Sequence, residues 1–137
     1  MNLLSTKIHG YIDYIMGALL IAAPWIFNFA RDDASTFIPP ILGIATILYS
    51  LLTRYELSQA RMIPMRRHLL LDTIVSLLLI ASPWLFGFKD YIWEPHVILG
   101  SIGLVIVFIS KREPGEGRTP TQRHITGDNN IRGTAIH

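Results

Sequence analysis

The feature that most constrains this chain is a repeat within it. Residues 22–29 read AAPWIFNF and residues 81–88 read ASPWLFGF, 59 positions further on. The match continues toward the N-terminus of each copy, where Asp13 corresponds to Asp72 and His9 to His68. Such a period predicts two copies of one supersecondary unit that bury a shared core. With 137 residues the chain has room for one domain built from both copies.

Each copy contains two apolar runs, at about 8–29 and 37–53 in the first copy and 68–88 and 96–110 in the second. Half of all residues are hydrophobic and 16% are charged, against a usual charged share of about 25%. A helix of about 20 apolar residues spans a hydrocarbon layer of ~30 Å. We therefore predict an all-α integral membrane four-helix bundle made of two parallel two-helix repeats.

Domain limits follow from these runs. The first repeat is predicted at 1–53, a basic loop at 54–67, the second repeat at 68–111 and a disordered tail at 112–137. The tail is rich in Gly and Pro and has no apolar period, which is typical of disorder. Because the first apolar run recurs within the chain, we expect it to be a structural segment and not a removable signal.

The basic residues predict an orientation. Most of them flank the outer ends of the repeats or the loop between them: Lys7, Arg54, Arg61, Arg66, Arg67, Lys111 and Arg112. Only Arg31 and Lys89 lie in the short turns within the repeats. By the positive-inside rule, both termini are predicted to be cytoplasmic. We expect the lipid bilayer as the main partner.

Two His-Asp pairs are the main candidate site. His9 and Asp13, like His68 and Asp72, are four residues apart and so share one helix face. The pairs can simply satisfy each other and fix helix packing. Alternatively, they converge as a proton relay, an ion site or a pair of axial haem ligands, since ionisable residues in membrane helices warrant a functional hypothesis. Both interpretations stay open at the level of sequence.

The Pro-Trp motifs have a more ordinary interpretation. Each proline removes a backbone donor and predicts a kink or stop, and Trp25 and Trp84 suit the headgroup boundary. Pro39 and Pro40 are expected in the first turn of the second helix, where proline is tolerated. The repeat-motif residues to be located are Pro24, Trp25, Ser82, Pro83 and Trp84.

Several function classes lack support in the sequence. There is no cysteine, so thiol redox centres and Cys-ligated metals are excluded. Phosphate-binding loops, nucleophile elbows and His-Glu-x-x-His spacing are also missing. The basic cluster near Arg66 is too short, and has too few aromatic residues, to indicate nucleic-acid binding. We expect no enzyme activity, no catalytic residue, no cofactor and no dedicated metal site.

The duplicated His-x3-Asp block followed by the Ser-Pro-Trp motif resembles the SPW-repeat family of small bacterial and archaeal membrane proteins. The resemblance covers about residues 8–111, and it departs from the family pattern at Ala23, which replaces the motif serine. It implies two membrane helices per repeat, with the motif in the first helix, a location in a bacterial or archaeal cytoplasmic membrane, and no particular activity. We expect a non-enzymatic membrane scaffold or accessory subunit that can form a homo-oligomer or bind a membrane protein. The alternative is a small transporter or a proton- or ion-conducting element that uses the His-Asp pairs.

Overall fold

The computed structural model describes residues 3–53 and 63–110, which form four α-helices and no strand. The helices are α1 (Thr6–Ile26), α2 (Ala34–Leu52), α3 (Met65–Leu85) and α4 (Glu94–Ile109). The predicted all-α four-helix arrangement is confirmed. The predicted tail at 112–137 and most of the predicted basic loop lie outside the described residues.

The helix ends differ from the predicted ones by one to three residues. All four helices begin two or three residues before their apolar runs, because their first turns contain polar residues that interrupt an apolar pattern. Ser5 caps α1 by accepting from Ile8 N at 3.3 Å, and Asp33 caps α2 by accepting from Ser35 N at 2.9 Å. The first and third helices end earlier than predicted, near residues with positive φ, Asn28 (55°) and Gly87 (74°).

Pro39 and Pro40 lie deeper in α2 than the sequence predicted. The expectation that Pro39 occupies a first turn is wrong, since α2 begins at Ala34. Pro39 has no N–H to donate to the carbonyl of Ser35, and His96 Nε2 of α4 donates to that oxygen instead, at 3.1 Å. Pro83 likewise leaves the carbonyl of Leu79 without its helical donor, and Ser82 Oγ donates to it at 2.7 Å.

Close helix contacts hold each half of the bundle together. The first half consists of α1 and α2, the second half of α3 and α4, and α2 also packs against α3. A Cβ atom added to Gly43 would lie 2.6 Å from the carbonyl oxygen of Gly17, and one added to Gly100 would lie 2.8 Å from that of Ser76. These glycines are therefore needed for the backbones to approach.

Short backbone pairings show which helix ends lie together. Leu4 N donates to Ile109 O at 2.8 Å, and Ile63 N donates to Leu52 O at 2.7 Å. The beginnings of α1 and α3 therefore lie at the same end of the bundle as the ends of α2 and α4. At the opposite end, which contains both Pro-Trp motifs, Tyr91 Oη donates to Phe29 O at 3.3 Å. The two halves consequently run parallel to each other.

Apolar side chains occupy both the core and much of the outer surface. The buried apolar layer consists of Leu20, Ala23, Phe29, Leu42, Leu79 and Leu99, and it reaches the Pro-Trp end at Phe29. Phe108, Ile15 and Trp25 are among many large apolar side chains that face outward, with 75%, 68% and 65% of their surface exposed. By length and composition, α2 and α3 could each cross a membrane, and α4 is apolar but shorter. Both observations indicate a membrane protein.

Candidate functional site

The two predicted His-Asp pairs meet in the interior, near the end of the bundle where α1 and α3 begin. Within the pairs, His9 Nε2 lies 3.2 Å from Asp13 Oδ1, and His68 Nε2 lies 3.1 Å from Asp72 Oδ2. Contacts between the pairs are as short: His9 Nε2 is 3.1 Å from Asp72 Oδ2, and His68 Nε2 is 2.8 Å from Asp13 Oδ2. These four side chains, here called the His-Asp cluster, thus connect the first half to the second.

The His-Asp cluster is closed to solvent. Its histidine side chains are at most 1% exposed and its aspartate side chains at most 9%. The two imidazole rings meet edge to face, with centroids 5.3 Å apart. Charged groups buried to this extent require partners, and the cluster supplies them from within.

A hydroxyl group from the opposite half contacts the outer nitrogen of each histidine. His68 Nδ1 of α3 lies 2.7 Å from Thr53 Oγ1, at the end of α2. His9 Nδ1 of α1 lies 2.6 Å from Ser110 Oγ, at the end of α4. Both histidines are therefore held from two sides, by the aspartates and by a hydroxyl.

The hydroxyl groups fix which nitrogen of each imidazole carries a hydrogen. Thr53 Oγ1 lies 2.7 Å from Tyr49 O and Ser110 Oγ lies 2.5 Å from Ile106 O, and a carbonyl can only accept. Each hydroxyl hydrogen is donated to its carbonyl, so the hydroxyl oxygen accepts from Nδ1–H. The Nε2 atoms therefore face the carboxylates, as acceptors in the neutral imidazole and as donors in the imidazolium form.

The second helix adds two more donors to the cluster. Tyr49 Oη donates to Asp72 Oδ1 at 2.5 Å, and Ser50 Oγ donates to Asp13 Oδ2 at 3.2 Å. At the corresponding positions α4 has Ile106 and Val107, which have no polar side-chain atom. Apart from Ser110, the surroundings of the cluster are therefore polar on the α2 side and apolar on the α4 side.

A cavity of about 40 Å³ adjoins the cluster. Its polar lining includes His9, Asp13, Asp72, Thr46 and Tyr49, and the rest is mostly apolar. Since a cavity of about 10–15 Å³ already holds one water, there is room for a small number of waters or for an ion.

The Pro-Trp motifs lie at the opposite end of the bundle and take no part in the His-Asp cluster. Pro24 and Pro83 are buried, whereas Trp25 and Trp84 are 65% and 55% exposed. Trp84 is near Trp93, with ring centroids 6.5 Å apart. This geometry fits outward-facing anchors at a membrane boundary.

Charged residues gather at the surface of this opposite end. The guanidinium of Arg31 lies 4.0 Å above the ring of Tyr91, and Arg31 Nε is 3.5 Å from Asp33 Oδ2. A hydrogen bond from the side chain of Ser35 holds the pKa of Asp33 below its usual value. Because these groups are partly exposed, we interpret them as a helix cap and its neighbours.

Sequence reasoning missed the residues that surround the cluster. Thr53 and Ser110 could have been found, since both carry hydroxyl groups at matching positions 57 residues apart. Tyr49 and Ser50 have no polar counterpart in the second half, so the repeat gave no signal for them. His96 could not be assigned either, because its partner is a carbonyl left free by Pro39.

The family comparison agrees with this geometry. A model of the SPW repeat domain matches residues 7–110, which include all four helices except the first residue of α1. The chain belongs to the SPW repeat family. Searches of curated proteins and of solved structures gave no match. The SPW match and the two apolar helices together indicate a membrane protein, and the match assigns no particular role to the domain.

Proposed function

We propose that this SPW-repeat protein is a non-enzymatic integral membrane scaffold or accessory subunit whose four helices all cross the bilayer. We further propose that it arose by internal duplication and lies in a bacterial or archaeal cytoplasmic membrane with both termini in the cytoplasm. The matching Pro-Trp motifs and the matching hydroxyl-to-histidine contacts support the duplication. The distribution of basic residues in the sequence supports the orientation.

The observation that carries the scaffold proposal is the crossing of polar contacts between the halves. His68 bonds to Asp13, and His9 lies close to Asp72, so each histidine contacts the carboxylate of the other half. The outer nitrogens are bonded to Thr53 and Ser110, which again cross between the halves. An arrangement that uses both nitrogens of both histidines within the protein favours a structural connection over a mobile relay.

The alternative function is conduction of protons or ions, and the small cavity beside the cluster is the observation in its favour. A conducting path must continue from the cluster to the Pro-Trp end. In the described part of the chain, the intervening layer contains Leu20, Leu42, Leu79 and Leu99. An apolar layer of this kind opposes the passage of charge, so we place the scaffold first.

The exposed helix faces suit lipid and helical partners. Phe108 and Val105 of α4, like Ile41 and Leu48 of α2, present large apolar surfaces. Such surfaces rarely face water in a soluble monomer. We propose the lipid bilayer as the main partner, with a second copy or another membrane protein as a further one.

Reconstitution in vesicles distinguishes the two functions. Purified protein is inserted into liposomes with a pH-sensitive dye inside, and a pH gradient is imposed with and without a membrane potential. The scaffold proposal predicts that proton flux across these membranes equals the leak rate of protein-free vesicles. Flux above that rate, and its loss when both His9 and His68 are replaced by Phe, would instead establish conduction.

A photocrosslinker tests the accessory role directly. Placed at Phe108, which is 75% exposed, it should capture a defined membrane protein or a second copy in cells. The matched control position is Leu20, which is 3% exposed and should give only contacts within the chain. Lipid adducts alone at Phe108, and at other exposed positions such as Ile41, would argue against an accessory role.

A further inference from the structure

We propose that the His-Asp cluster is a divalent cation site, and that Zn²⁺ is the ion that its ligands fit best. The ligand atoms are Nε2 of His9 and His68 and one carboxylate oxygen each of Asp13 and Asp72. All four lie within 4.8 Å of one another. Imidazole nitrogen and carboxylate oxygen are both common Zn²⁺ ligands, and four such ligands make a closed structural site.

The spacing between the histidine nitrogens and the carboxylate oxygens is close to that of tetrahedral coordination. With metal–ligand bonds of about 2.0–2.1 Å, neighbouring ligands of a tetrahedron are about 3.3 Å apart. The four nitrogen–oxygen distances in the cluster are 2.8, 3.1, 3.1 and 3.2 Å. The same oxygen of Asp72, Oδ2, faces both histidines. Asp13 faces His9 with Oδ1 and His68 with Oδ2, so it can bind an ion through either oxygen or through both. The nitrogen–oxygen separations are therefore near those of a coordinated ion, and every other separation among the ligand atoms is at most 4.8 Å.

The hydroxyl groups orient the histidines as metal ligands. Thr53 and Ser110 accept from the Nδ1–H groups, which directs the lone pairs of the neutral imidazoles at Nε2 toward the aspartates. Ligating histidines usually donate their other N–H in this manner. Without a proton on Nε2, the centre consists of four groups that can only accept. Such a centre is suited to a bound cation.

The charge of the cluster also fits a divalent ion. Two carboxylates and two neutral imidazoles carry a charge of −2, which one divalent cation neutralises. Net neutrality matters at side chains that are at most 9% exposed, where an unbalanced charge is costly. Tyr49 and Ser50 donate to the aspartates and so support two of the ligands from outside.

An ion at this place would join the two halves, because each half supplies one histidine and one aspartate. The inference concerns the occupant of the cluster and goes beyond the proposed scaffold function. It does not depend on that function, since a conducting protein could also hold such an ion. Metal content and flux are measured in separate experiments, so the metal site and the scaffold function can each be contradicted without the other.

The test is Zn²⁺ binding by the full-length protein, purified without a metal-affinity tag. The chain has five histidines, and His124 and His137 lie outside the described residues. Binding is therefore measured with these two replaced by Gln. After treatment with a chelator and addition of Zn²⁺, elemental analysis should give one ion per chain. A stoichiometry far below one would overturn the proposal.

Single variants locate the ion. H9Q and H68Q should each weaken binding at least ~10-fold, because changes even outside the ligand shell cost about 10- to 100-fold. The matched control is H96Q, which changes the other buried histidine of the described helices, at the opposite end of the bundle, and should bind as the parent does. Unchanged affinity in H9Q and H68Q would overturn the proposal.

A spectrum of the unaltered cluster covers the case in which those variants do not fold. Co²⁺ in place of Zn²⁺ should give the intense visible absorption of four-coordinate Co²⁺, and Zn²⁺ should abolish it. A weak spectrum like that of Co²⁺ in water would overturn the proposal. Neither the Zn²⁺ binding measurements nor the Co²⁺ spectrum depends on an activity of the protein.

Discussion

His68 of α3 lies 2.8 Å from Asp13 of α1, which is shorter than the distance from either histidine to the aspartate of its own helix. The sequence left open whether the two pairs stay separate, each within one helix, or converge. In the folded chain these pairs form one cluster, because α1 and α3 begin at the same end of a parallel arrangement. This cluster is the main polar connection between the halves in the described part of the chain.

Replacing Thr53 by Val tests the contact between a hydroxyl group and a histidine. Valine keeps the shape of threonine but removes the acceptor for His68 Nδ1–H, and a buried donor without a partner costs about 1–3 kcal/mol. We expect this loss in the free energy of unfolding, measured by titration with a denaturing detergent.

The matched control is Thr73→Val. Thr73 Oγ1 donates to Leu69 O in its own helix, at 2.7 Å, and contacts no histidine among the described residues, so the loss should stay below about 1 kcal/mol. Equal effects of the two substitutions would contradict the tautomer assigned to His68.

Replacing Gly43 by Ala tests the close approach of α1 and α2. The added Cβ would lie 2.6 Å from the carbonyl oxygen of Gly17, and backbone atoms cannot easily move aside. We expect a loss of about 1–3 kcal/mol, typical of overpacking. Ser101→Ala, on the exposed face of α4, should change the unfolding free energy by less than about 0.5 kcal/mol. A neutral Gly43→Ala would show that the helices are further apart.

Replacing Asp33 by Ala tests the cap of α2 and gives a dependence on pH. Loss of an N-cap costs about 0.5–2 kcal/mol. Because the folded pKa of Asp33 is lowered, its contribution is present above the unfolded value of about 3.9 and is lost as pH falls through the folded pKa. The difference between Asp33→Ala and the parent should therefore be full at pH 7 and shrink below about pH 4.

Asp32→Ala is the control for this titration, since Asp32 is exposed and is not the capping residue of α2. The effect of Asp32→Ala on the unfolding free energy should be small both at pH 7 and below about pH 4. A difference for Asp33→Ala that grows on acidification would contradict the assigned direction of the pKa.

Single cysteines at Asp33 and Asp90 test the proposed orientation. The natural chain has no cysteine, so an impermeant maleimide reports only the introduced thiol. Both positions belong to the Pro-Trp end and should be labelled in intact cells. A cysteine at Lys7, at the other end, should react only after the membrane is made permeable. The reverse pattern would place both termini outside the cytoplasm.

The repeat made the fold predictable, because the length of each apolar run and the positions of the basic residues can be read directly from the sequence. It also located the four cluster residues, because His9 and Asp13 recur together as His68 and Asp72. What it could not give is the pairing across the halves, which depends on how α1 and α3 pack. Tyr49 and Ser50 were missed because the second copy has no polar residue at 106 or 107. The position of Pro39 was predicted wrongly because α2 begins at Ala34, before its apolar run.

The most direct test of the connection between the halves is a double-mutant cycle on His68 and Asp13. The unfolding free energy is measured for the parent, His68→Gln, Asp13→Asn and the double variant. We predict a coupling of at least about 1 kcal/mol, within the range for residues in contact. His96 with Asp13 is the control pair, because these residues lie at opposite ends of the bundle. Additivity of His68 and Asp13 within about 0.5 kcal/mol would contradict a shared cluster.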